Sequence, residues 1–184
     1  MIIRRADLGA DVDTILRWRR ERRTWLATKG ESQWEIPLPR SAVAATVSAG
    51  QTWMVYDDER PAATITLTAH TDPGQAWFAA FDPDAIWYPE DNLTDALYAS
   101  AMIVPLERAG QGLGTELLDW AGGRAFDAGV TWLRLDAWTT NTQLHHYYQQ
   151  QGFQHVRTVT SSLSGACFQR PAQPYLRGHL KTEA

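Results

Sequence analysis

Three alternate glycines stand in a short segment that runs from a strand-like stretch into a helical one. The segment reads Val104-Pro105-Leu106-Glu107-Arg108-Ala109-Gly110-Gln111-Gly112-Leu113-Gly114-Thr115. Such a turn suits a pyrophosphate, because glycines let the backbone approach closely and the unpaired N–H groups at a helix start point at the anion. It lacks the Gly-Lys-Ser/Thr ending of a nucleotide-hydrolase loop, and it does not follow a first strand as a dinucleotide fingerprint does. A structural turn without a ligand is the alternative.

A second motif follows the strand-like run from Leu133 to Ala137. It reads Asn141-Thr142-Gln143-Leu144-His145-His146-Tyr147-Tyr148-Gln149-Gln150-Gln151-Gly152-Phe153. Together the two motifs resemble the acyl-CoA-binding core of the GNAT superfamily of N-acetyltransferases, in order and spacing from Met102 to Phe153. That family shows a strand, Gln/Arg-x-x-Gly-x-Gly/Ala, a helix, a strand, then Asn-x-x-Ala-x-x-apolar-Tyr-x-x-x-Gly-Phe. Ala109 replaces the leading Gln or Arg of this pattern, and Leu144 replaces a frequent Ala.

The resemblance implies that acetyl-CoA is the acyl donor, used as a cosubstrate. Its pyrophosphate would lie on the backbone donors of residues 110–115, with side-chain help from Arg108 or Gln111. Backbone groups of Met102 and Val104 would hold the pantetheine arm and the thioester carbonyl in a gap between two splayed parallel strands, and would stabilise the oxyanion there. The predicted acetyl-CoA-binding residues are Met102, Val104, Arg108, Ala109, Gly110, Gln111, Gly112, Leu113, Gly114, Thr115, Asn141 and Tyr148.

The resemblance also implies direct attack of a neutral amine on the thioester, without a covalent enzyme intermediate. Tyr148 would stand near the sulfur, where a phenol of pKa near 10 can give a proton to the departing thiolate. A core aromatic is the alternative for Tyr148, because Tyr147 and Tyr148 are adjacent on a helix and at most one of them faces the cleft.

The sequence does not identify a single general base, because the strand before the glycine turn carries no carboxylate. Two-residue alternation places Tyr98, Ser100, Met102 and Val104 on one face of that strand, so Tyr98 and Ser100 could hold a water chain. The candidate carboxylates are Asp136 on the neighbouring strand and three loop acids, namely Glu35, Asp91 and Asp95. The predicted catalytic residues are therefore Tyr148, Asp136 and Ser100.

Nine tryptophans in 184 residues is a high count, and several fall in two irregular regions of the sequence. We predict that they line an aromatic acceptor pocket, in which nearby acids favour a positively charged amine. An equally supported alternative is that the tryptophans hold long loops against the core. The predicted acceptor-binding residues are Trp25, Trp34, Glu35, Trp77, Trp87 and Tyr98.

Charge argues against nucleic-acid and membrane partners. The formal net charge is −4, whereas phosphate backbones and anionic lipids attract clustered Lys and Arg. One basic run extends from Arg17 to Arg23, but it falls in a segment with helical apolar spacing, and we interpret it as a solvated helix face.

Cysteine and histidine usage argues against metal and disulfide chemistry. Cys167 is the only cysteine, so neither an intrachain disulfide nor a cysteine pair for zinc can form. His145 and His146 point about 100° apart on a helix, and no metal is expected. The absence of a signal-like start and of long apolar runs predicts a cytoplasmic protein.

The elements that position these residues follow a β/α order. Strands are predicted at 2–6, 52–56, 62–69, 96–104, 131–138 and 155–162, and helices at 11–28, 41–49, 114–127 and 142–150. Asp11 is the predicted cap of the first helix. Residues 52–69 read as an antiparallel hairpin, and the later βαβ order implies parallel strands joined by a right-handed crossover.

The predicted fold is one α/β domain over residues 1–184, a GNAT-like mixed twisted sheet with splayed parallel strands flanked by helices. The predicted function is transfer of an acetyl group from acetyl-CoA to a primary amine of a small molecule. A protein amine is an alternative acceptor, and a non-catalytic acyl-CoA-binding sensory or interaction module is an alternative function. A homodimer is left open.

Overall fold

The computed structural model describes residues 1–70, 86–176 and 178–183. The chain forms two compact units. The first contains Met1–Leu67, Ala101–Leu117 and Arg177–Ala184, and the second contains Thr68–Ser100 and Leu118–Leu176.

Among the described residues there are eight strands and four α-helices, in an order that begins β-α-α-β-β. They are β1 (Ile2–Arg5), α1 (Ala10–Ala27), α2 (Arg40–Ser48), β2 (Thr52–Asp57), β3 (Arg60–Ala69), β4 (Ala96–Ile103), α3 (Leu113–Asp127), β5 (Trp132–Ala137), α4 (Thr142–Gln150), β6 (Gln154–Thr158), β7 (Ala166–Pro171) and β8 (Lys181–Thr182). Short 3-10 helices occupy Pro89–Asp91 and Leu106–Arg108. Every helix predicted from the sequence is present within one residue of its expected bounds.

The first unit is built on the antiparallel hairpin of β2 and β3. Thr52 pairs with Thr66 and Asp57 with Arg60, which confirms the predicted hairpin. β1 pairs antiparallel with β2 and parallel with β8. Strands rich in Val, Ile, Thr and aromatic residues favour such pairing because their side chains pack well on a pleated surface.

Helices α1 and α2 cover this part of the sheet with apolar side chains. Trp18 of α1 is 1% exposed and packs in one cluster with side chains from α2, β2 and β4. The buried members of that cluster are Ala6, Val12, Ile15, Trp18, Val43, Val47, Met54 and Ile103. The spacing of Val12, Ile15 and Trp18 is the apolar stripe of a helix that packs one face on a core.

The start of α1 differs from the sequence prediction. The helix begins at Ala10, and its N-cap position is Gly9, with no capping bond from a side chain. Asp11 instead lies in the first turn, where it accepts a bond from Asp7 N–H at 3.0 Å and pairs with Arg4 at 3.1 Å. The predicted cap was therefore wrong, because this buried carboxylate ties β1 to α1.

The second unit contains the parallel pair that the βαβ order predicted. β4 pairs parallel with β5 from Ala96–Trp132 to Ala99–Leu135. β5 also pairs antiparallel with β7, and β7 pairs antiparallel with β6. Parallel and antiparallel pairing thus occur together, which confirms the predicted mixed sheet flanked by helices. β7 was not predicted from the sequence.

Candidate functional site

The glycine turn of the first unit has the backbone shape that its sequence predicts. Gly110 and Gly112 have φ values of 77° and 80°, a region that residues with a Cβ rarely adopt. In the described part of the chain, a Cβ on either glycine would meet no heavy atom within 4 Å. Glu116 N–H bonds to Gly112 O at 3.0 Å, so the N–H groups of residues 113–115 have no acceptor within α3. These donors, at the positive end of a helix, can bind an anion.

Two side chains of this turn are engaged by neighbours. Arg108 pairs with Asp57 at 2.8 Å, and Gln111 donates to the Glu107 carbonyl at 3.2 Å. Ala109 is exposed, and its side chain carries no polar group. Because Asp57 already balances the charge of Arg108, the backbone donors carry more of the turn's attraction for an anion than its side chains do.

Strand β4 contains a left-handed residue that the sequence did not reveal. Ala101 has a φ of 47°, which costs about 1–2 kcal/mol for a residue with a Cβ. The paired ladder with β5 ends at Ala99, and the buried positions of β4 are Ala96, Ala99 and Ile103. The predicted two-residue alternation from Tyr98 to Val104 was therefore wrong, because Ala101 interrupts the extended backbone.

Ser100 immediately precedes this irregular residue. Its Oγ atom is buried and has no hydrogen-bond partner among the described residues. Buried hydroxyl groups are normally satisfied by protein or ordered water. A polar atom of a ligand or a water molecule would therefore be bound favourably at Ser100.

The end of β4 is contacted by an arginine from the basic run of α1, which was predicted to face solvent. Arg22 of α1 donates to the Val104 carbonyl, and both Met102 and Val104 are partly buried. The interpretation of residues 17–23 as a solvated face is therefore wrong for Arg22. Apolar spacing identified the buried stripe of α1, but it cannot show which neighbouring arginine turns inward.

Tyr148 lies in an aromatic cluster of the second unit. The residue is 8% exposed, and its ring centroid is 5.8 Å from that of Phe153 and 5.9 Å from that of Phe168. Burial, with smaller contributions from Tyr147 and Asp136, raises the pKa of the phenol. A phenol with a raised pKa is fully protonated at neutral pH and is a weaker acid than an ordinary tyrosine.

Asn141 is the N-cap of α4. Its Oδ1 accepts a bond from Leu144 N–H at 3.0 Å, and the residue is 8% exposed. This cap satisfies one of the free N–H groups at the helix start. Asn141 thus fixes the beginning of the helix that carries Tyr148, whether or not it also contacts a ligand.

Asp136 is a partly buried carboxyl on β5, directly across from Cys167 on β7. Desolvation raises its pKa, while a bond donated by Ser164 Oγ at 2.5 Å opposes that rise. A carboxyl whose pKa moves up toward neutrality accepts a proton from an ammonium more readily than an ordinary one.

The other candidate bases are different in character. Asp91 forms a two-bond ion pair with Arg157 at 2.5 and 2.6 Å, and the bonds from Arg157 hold its pKa below the usual range. The pKa of Asp95 is also lowered, first by a bond from the Thr131 side chain and then by a bond from Thr131 N–H at 2.8 Å. Glu35 is exposed. A carboxylate with a lowered pKa is a weak base.

The predicted acceptor-binding aromatic residues differ in their unit and in their exposure. In the second unit, Trp87 is 6% exposed, and the Arg134 guanidinium lies 4.9 Å from its ring centre. Tyr98 donates to Leu93 O at 3.0 Å and accepts from Arg134 at 3.2 Å. These two rings fit the alternative in which aromatics hold a loop to the core.

Trp25 and Trp34 lie in the first unit and are more accessible. Trp25 is 38% exposed, and Trp34 is partly buried against the core cluster. Trp77 lies outside the described residues.

The histidines of α4 and Cys167 make their contacts with described residues of the protein. No group of three His, Cys, Asp or Glu side chains in the described parts of the chain could hold a metal ion. His145 Nε2 contacts Trp138 O, whereas His146 contacts Gln150. Cys167 is fully buried in β7, and burial raises the pKa of its thiol to about 12. A thiol of that pKa is inert as a nucleophile.

The order of strand, glycine turn, helix and parallel strand is the one expected of an acyl-CoA-dependent N-acyltransferase, and sequence comparison agrees. The chain belongs to the acetyltransferase (GNAT) family, whose sequence profile matches residues 13–153, well over half of its length. This membership places the protein among the acyl-CoA-dependent N-acetyltransferases.

Individual relatives are distant but cover most of the chain. The uncharacterized N-acetyltransferase YesJ of Bacillus subtilis is 26% identical over 71% of this chain and 69% of its own. A GNAT-family acetyltransferase from Streptococcus agalactiae superposes with a TM-score of 0.68, at 20% identity over 93% of this chain and 95% of its own. The PaiA N-acetyltransferase of Thermoplasma acidophilum, solved with coenzyme A, gives a TM-score of 0.67 at 15% identity, over 92% and 97% of the two chains. These structures share the fold.

Proposed function

We propose that this protein transfers the acetyl group of acetyl-CoA to the primary amine of a small-molecule acceptor. The observation that carries the proposal is the glycine turn, with its open left-handed glycines and the N–H groups at the start of α3. A coenzyme A pyrophosphate supplies the charge that these donors attract. Structures of the same fold have been solved with coenzyme A or acetyl-CoA bound.

In the proposed reaction the neutral amine nitrogen attacks the thioester carbonyl and the carbon–sulfur bond breaks, so that an amide, a thiolate and one proton from the nitrogen form. That proton restores the Tyr148 phenol after it has protonated the thiolate. Tyr148, by its position in the family pattern, gives its proton to the thiolate. The phenol is protonated at neutral pH, as a general acid must be, while its raised pKa makes it a weaker acid than an ordinary tyrosine. Backbone donors at the end of β4 stabilise the oxyanion.

The attacking amine must first lose the proton of its ammonium form. We propose Asp136 as the group that takes this proton, directly or through a water held at Ser100. Its raised pKa and partial burial support this role over Asp91 and Asp95. A positioned base contributes roughly 10²- to 10⁴-fold to the rate.

The first experiment is a product assay of purified protein with acetyl-CoA and a broad panel of amines. We expect stoichiometric release of CoA and formation of an N-acetyl product. Binding of acetyl-CoA without CoA release over the whole panel would instead support a non-catalytic acyl-CoA-binding module. A peptide array run in parallel tests the protein-amine alternative, which gains support if peptides are acetylated more efficiently than small amines.

The role of Tyr148 is tested by Tyr148→Phe with the neighbouring Tyr147→Phe as its control. We expect Tyr148→Phe to lower kcat by roughly 10²-fold or more while the KM for acetyl-CoA stays unchanged, because only the proton donor is lost. Tyr147 is partly exposed, and its variant should keep nearly full activity. Equal behaviour of the two variants would remove Tyr148 from the mechanism.

Among the described residues, no helix is both long and apolar enough to cross a membrane. We propose a cytoplasmic location, where acetyl-CoA is available and a lone cysteine stays reduced. Fractionation of cells that express the protein, with detection by antibody, tests this.

A further inference from the structure

A row of arginines on α1 lies in the first unit beside the end of β4. Arg19, Arg22 and Arg23 follow the i, i+3, i+4 spacing that places side chains on one face of a helix. All three are partly buried, whereas Arg17 and Arg20 of the same helix are exposed. The row therefore faces the protein and is not simply the solvated side of the helix.

Of the three arginines, Arg19 has the fewest contacts that offset the cost of burying its guanidinium. Its guanidinium lies 4.8 Å from the ring centre of Trp34, and its Nε atom is buried with no hydrogen-bond partner among the described residues. Burial, together with the positive charge of Arg23, lowers the pKa of Arg19 to about 10. A buried N–H donor without an acceptor is costly and is rare in folded proteins.

Arg22 is held in a similar way, between an aromatic ring and the backbone. Its guanidinium lies 5.1 Å from the ring centre of Trp25 and donates to the Val104 carbonyl. Burial lowers its pKa as well. The carbonyl satisfies one donor of Arg22 but does not neutralise its charge.

Other arginines of this unit have acidic partners, whereas the described residues supply none for this row. Arg17 pairs with Glu21 at 3.1 Å and Arg108 with Asp57 at 2.8 Å. Within the described parts of the chain, no ion pair joins Arg19, Arg22 or Arg23 to a carboxylate. Buried cations that lack a protein anion are expected to be neutralised by a bound one.

We infer that Arg19 and Arg22 bind the carboxylate of the acyl acceptor, so that the acceptor is an amino carboxylic acid. The inference rests on the proposed function, which assigns the backbone of Val104 to the thioester end of acetyl-CoA. A guanidinium fork matches a carboxylate with two parallel bonds, and stacking on Trp25 and Trp34 fixes both forks before the ligand arrives. The charge preference set by α1 is thus opposite to the preference for a cationic amine that the sequence predicted from the acids near the tryptophans.

The decisive test compares amines that differ only in this group. We would assay a panel of α- and ω-amino acids against their carboxamides, using wild type, Arg19→Met and, as control, Arg20→Met on the exposed face of α1. We expect wild type to prefer a carboxylate over its amide by roughly 10- to 100-fold in kcat/KM, as a charge-assisted bond predicts. Arg19→Met should lose most of this preference, mainly through KM for the acid, and Arg20→Met should keep it.

A stability measurement separates a ligand-binding role from a structural one. Replacing a structural arginine lowers the Tm, whereas removing an uncompensated buried cation should leave the Tm of the ligand-free protein unchanged or raise it by about 2–4 °C. We therefore expect Arg19→Met to combine a lost carboxylate preference with an undiminished Tm. A fall in Tm with the preference intact would overturn the inference.

Three further outcomes distinguish the inference from its alternatives. If Arg19→Met weakens acetyl-CoA binding but leaves the acid-to-amide preference intact, the arginines serve a phosphate of coenzyme A and the inference is wrong. If acids and amides are acetylated equally well by wild type, the inference fails while acetyl transfer stands. If no amine is acetylated, yet amino acids raise the Tm of wild type and not of Arg19→Met, the proposed function fails and the carboxylate site stands.

Discussion

Buried arginines of the two units differ in how far the protein itself satisfies their hydrogen bonds. In the second unit, Arg157 is fully paired with Asp91, and Arg134 donates to the Tyr98 hydroxyl, the Asn92 carbonyl and the Asp91 carbonyl. In the first unit, Arg19 keeps an unsatisfied donor among the described residues, and the glycine turn leaves N–H groups open at the start of α3.

This contrast distinguishes polar groups that stabilise the fold from polar groups that bind a ligand. A polar group whose partners all come from the protein stabilises the fold, and its loss should appear as lost stability. A polar group that the fold leaves without partners is kept at a cost, and its loss should appear as lost binding. Substitution of one such group at a time distinguishes the two responses.

The largest effect is expected at the glycine turn. Gly112→Ala places a methyl group where the proposed pyrophosphate approaches, and we expect acetyl-CoA affinity to fall on the order of 100-fold. Gly129→Ala is a matched control, since Gly129 also has a positive φ, 74°, and an added methyl there would meet no atom of the described chain within 4 Å. Calorimetric titration with acetyl-CoA should show weak binding for the first variant only, while both lose about 1–2 kcal/mol of stability.

The next largest effect is expected at the Arg157–Asp91 ion pair of the second unit. Asp91→Asn removes the carboxylate that Arg157 requires and should lower the free energy of unfolding by about 2–3 kcal/mol. Asp127→Asn in the same unit breaks an exposed pair with Arg124 at 3.9 Å and should cost under about 1 kcal/mol. Urea unfolding measures both. A normal stability for Asp91→Asn, with activity lost, would show that Asp91 belongs to the chemistry instead.

Low pH should remove the difference in unfolding free energy between wild type and Asp91→Asn. The folded-state pKa of Asp91 is lowered, chiefly by the bonds from Arg157. Its contribution is therefore fully present above the unfolded pKa near 4 and is lost as the pH falls through the lower folded value. We expect the gap in unfolding free energy to be constant from neutral pH to about pH 5 and to narrow below about pH 4. A gap that persists to about pH 2 would contradict the assigned ion pair.

The smallest effect concerns the left-handed residue of β4. Ala101→Gly should relieve the strain of a φ of 47° and raise stability by about 1 kcal/mol or less, since glycine also gains entropy in the unfolded chain. Ala99→Gly is the control, because Ala99 lies in the paired ladder and its variant should be destabilised by roughly 0.5–1 kcal/mol. Thermal unfolding of the two variants should move in opposite directions.

Sequence patterns were most informative where local chemistry decides the structure. Helix α4 occupies Thr142–Gln150 as predicted, because Asn141 caps its start and Gly152 follows its end. The β2–β3 hairpin was equally clear from β-branched runs around a polar turn. In both cases the signal lies within a few residues of the element that it specifies.

Features that depend on residues far away in the sequence could not be predicted from local patterns. β7 is a strand because β5 and β6 flank it on both sides, and its own sequence carries little β signal. Ala101 adopts a conformation usually marked by glycine, without any glycine to mark it. The inward turn of Arg22 depends on the Val104 carbonyl, which lies far away in the sequence.

The buried position of Cys167 has a practical consequence for following this enzyme in solution. With a thiol pKa of about 12, only about one thiol in 10⁵ is a thiolate at pH 7. The native cysteine should therefore not react with maleimides or iodoacetamide, and it need not be removed before labelling. A cysteine placed at exposed Lys29 would then carry a fluorophore beside Trp25, whose indole would report acceptor binding by quenching.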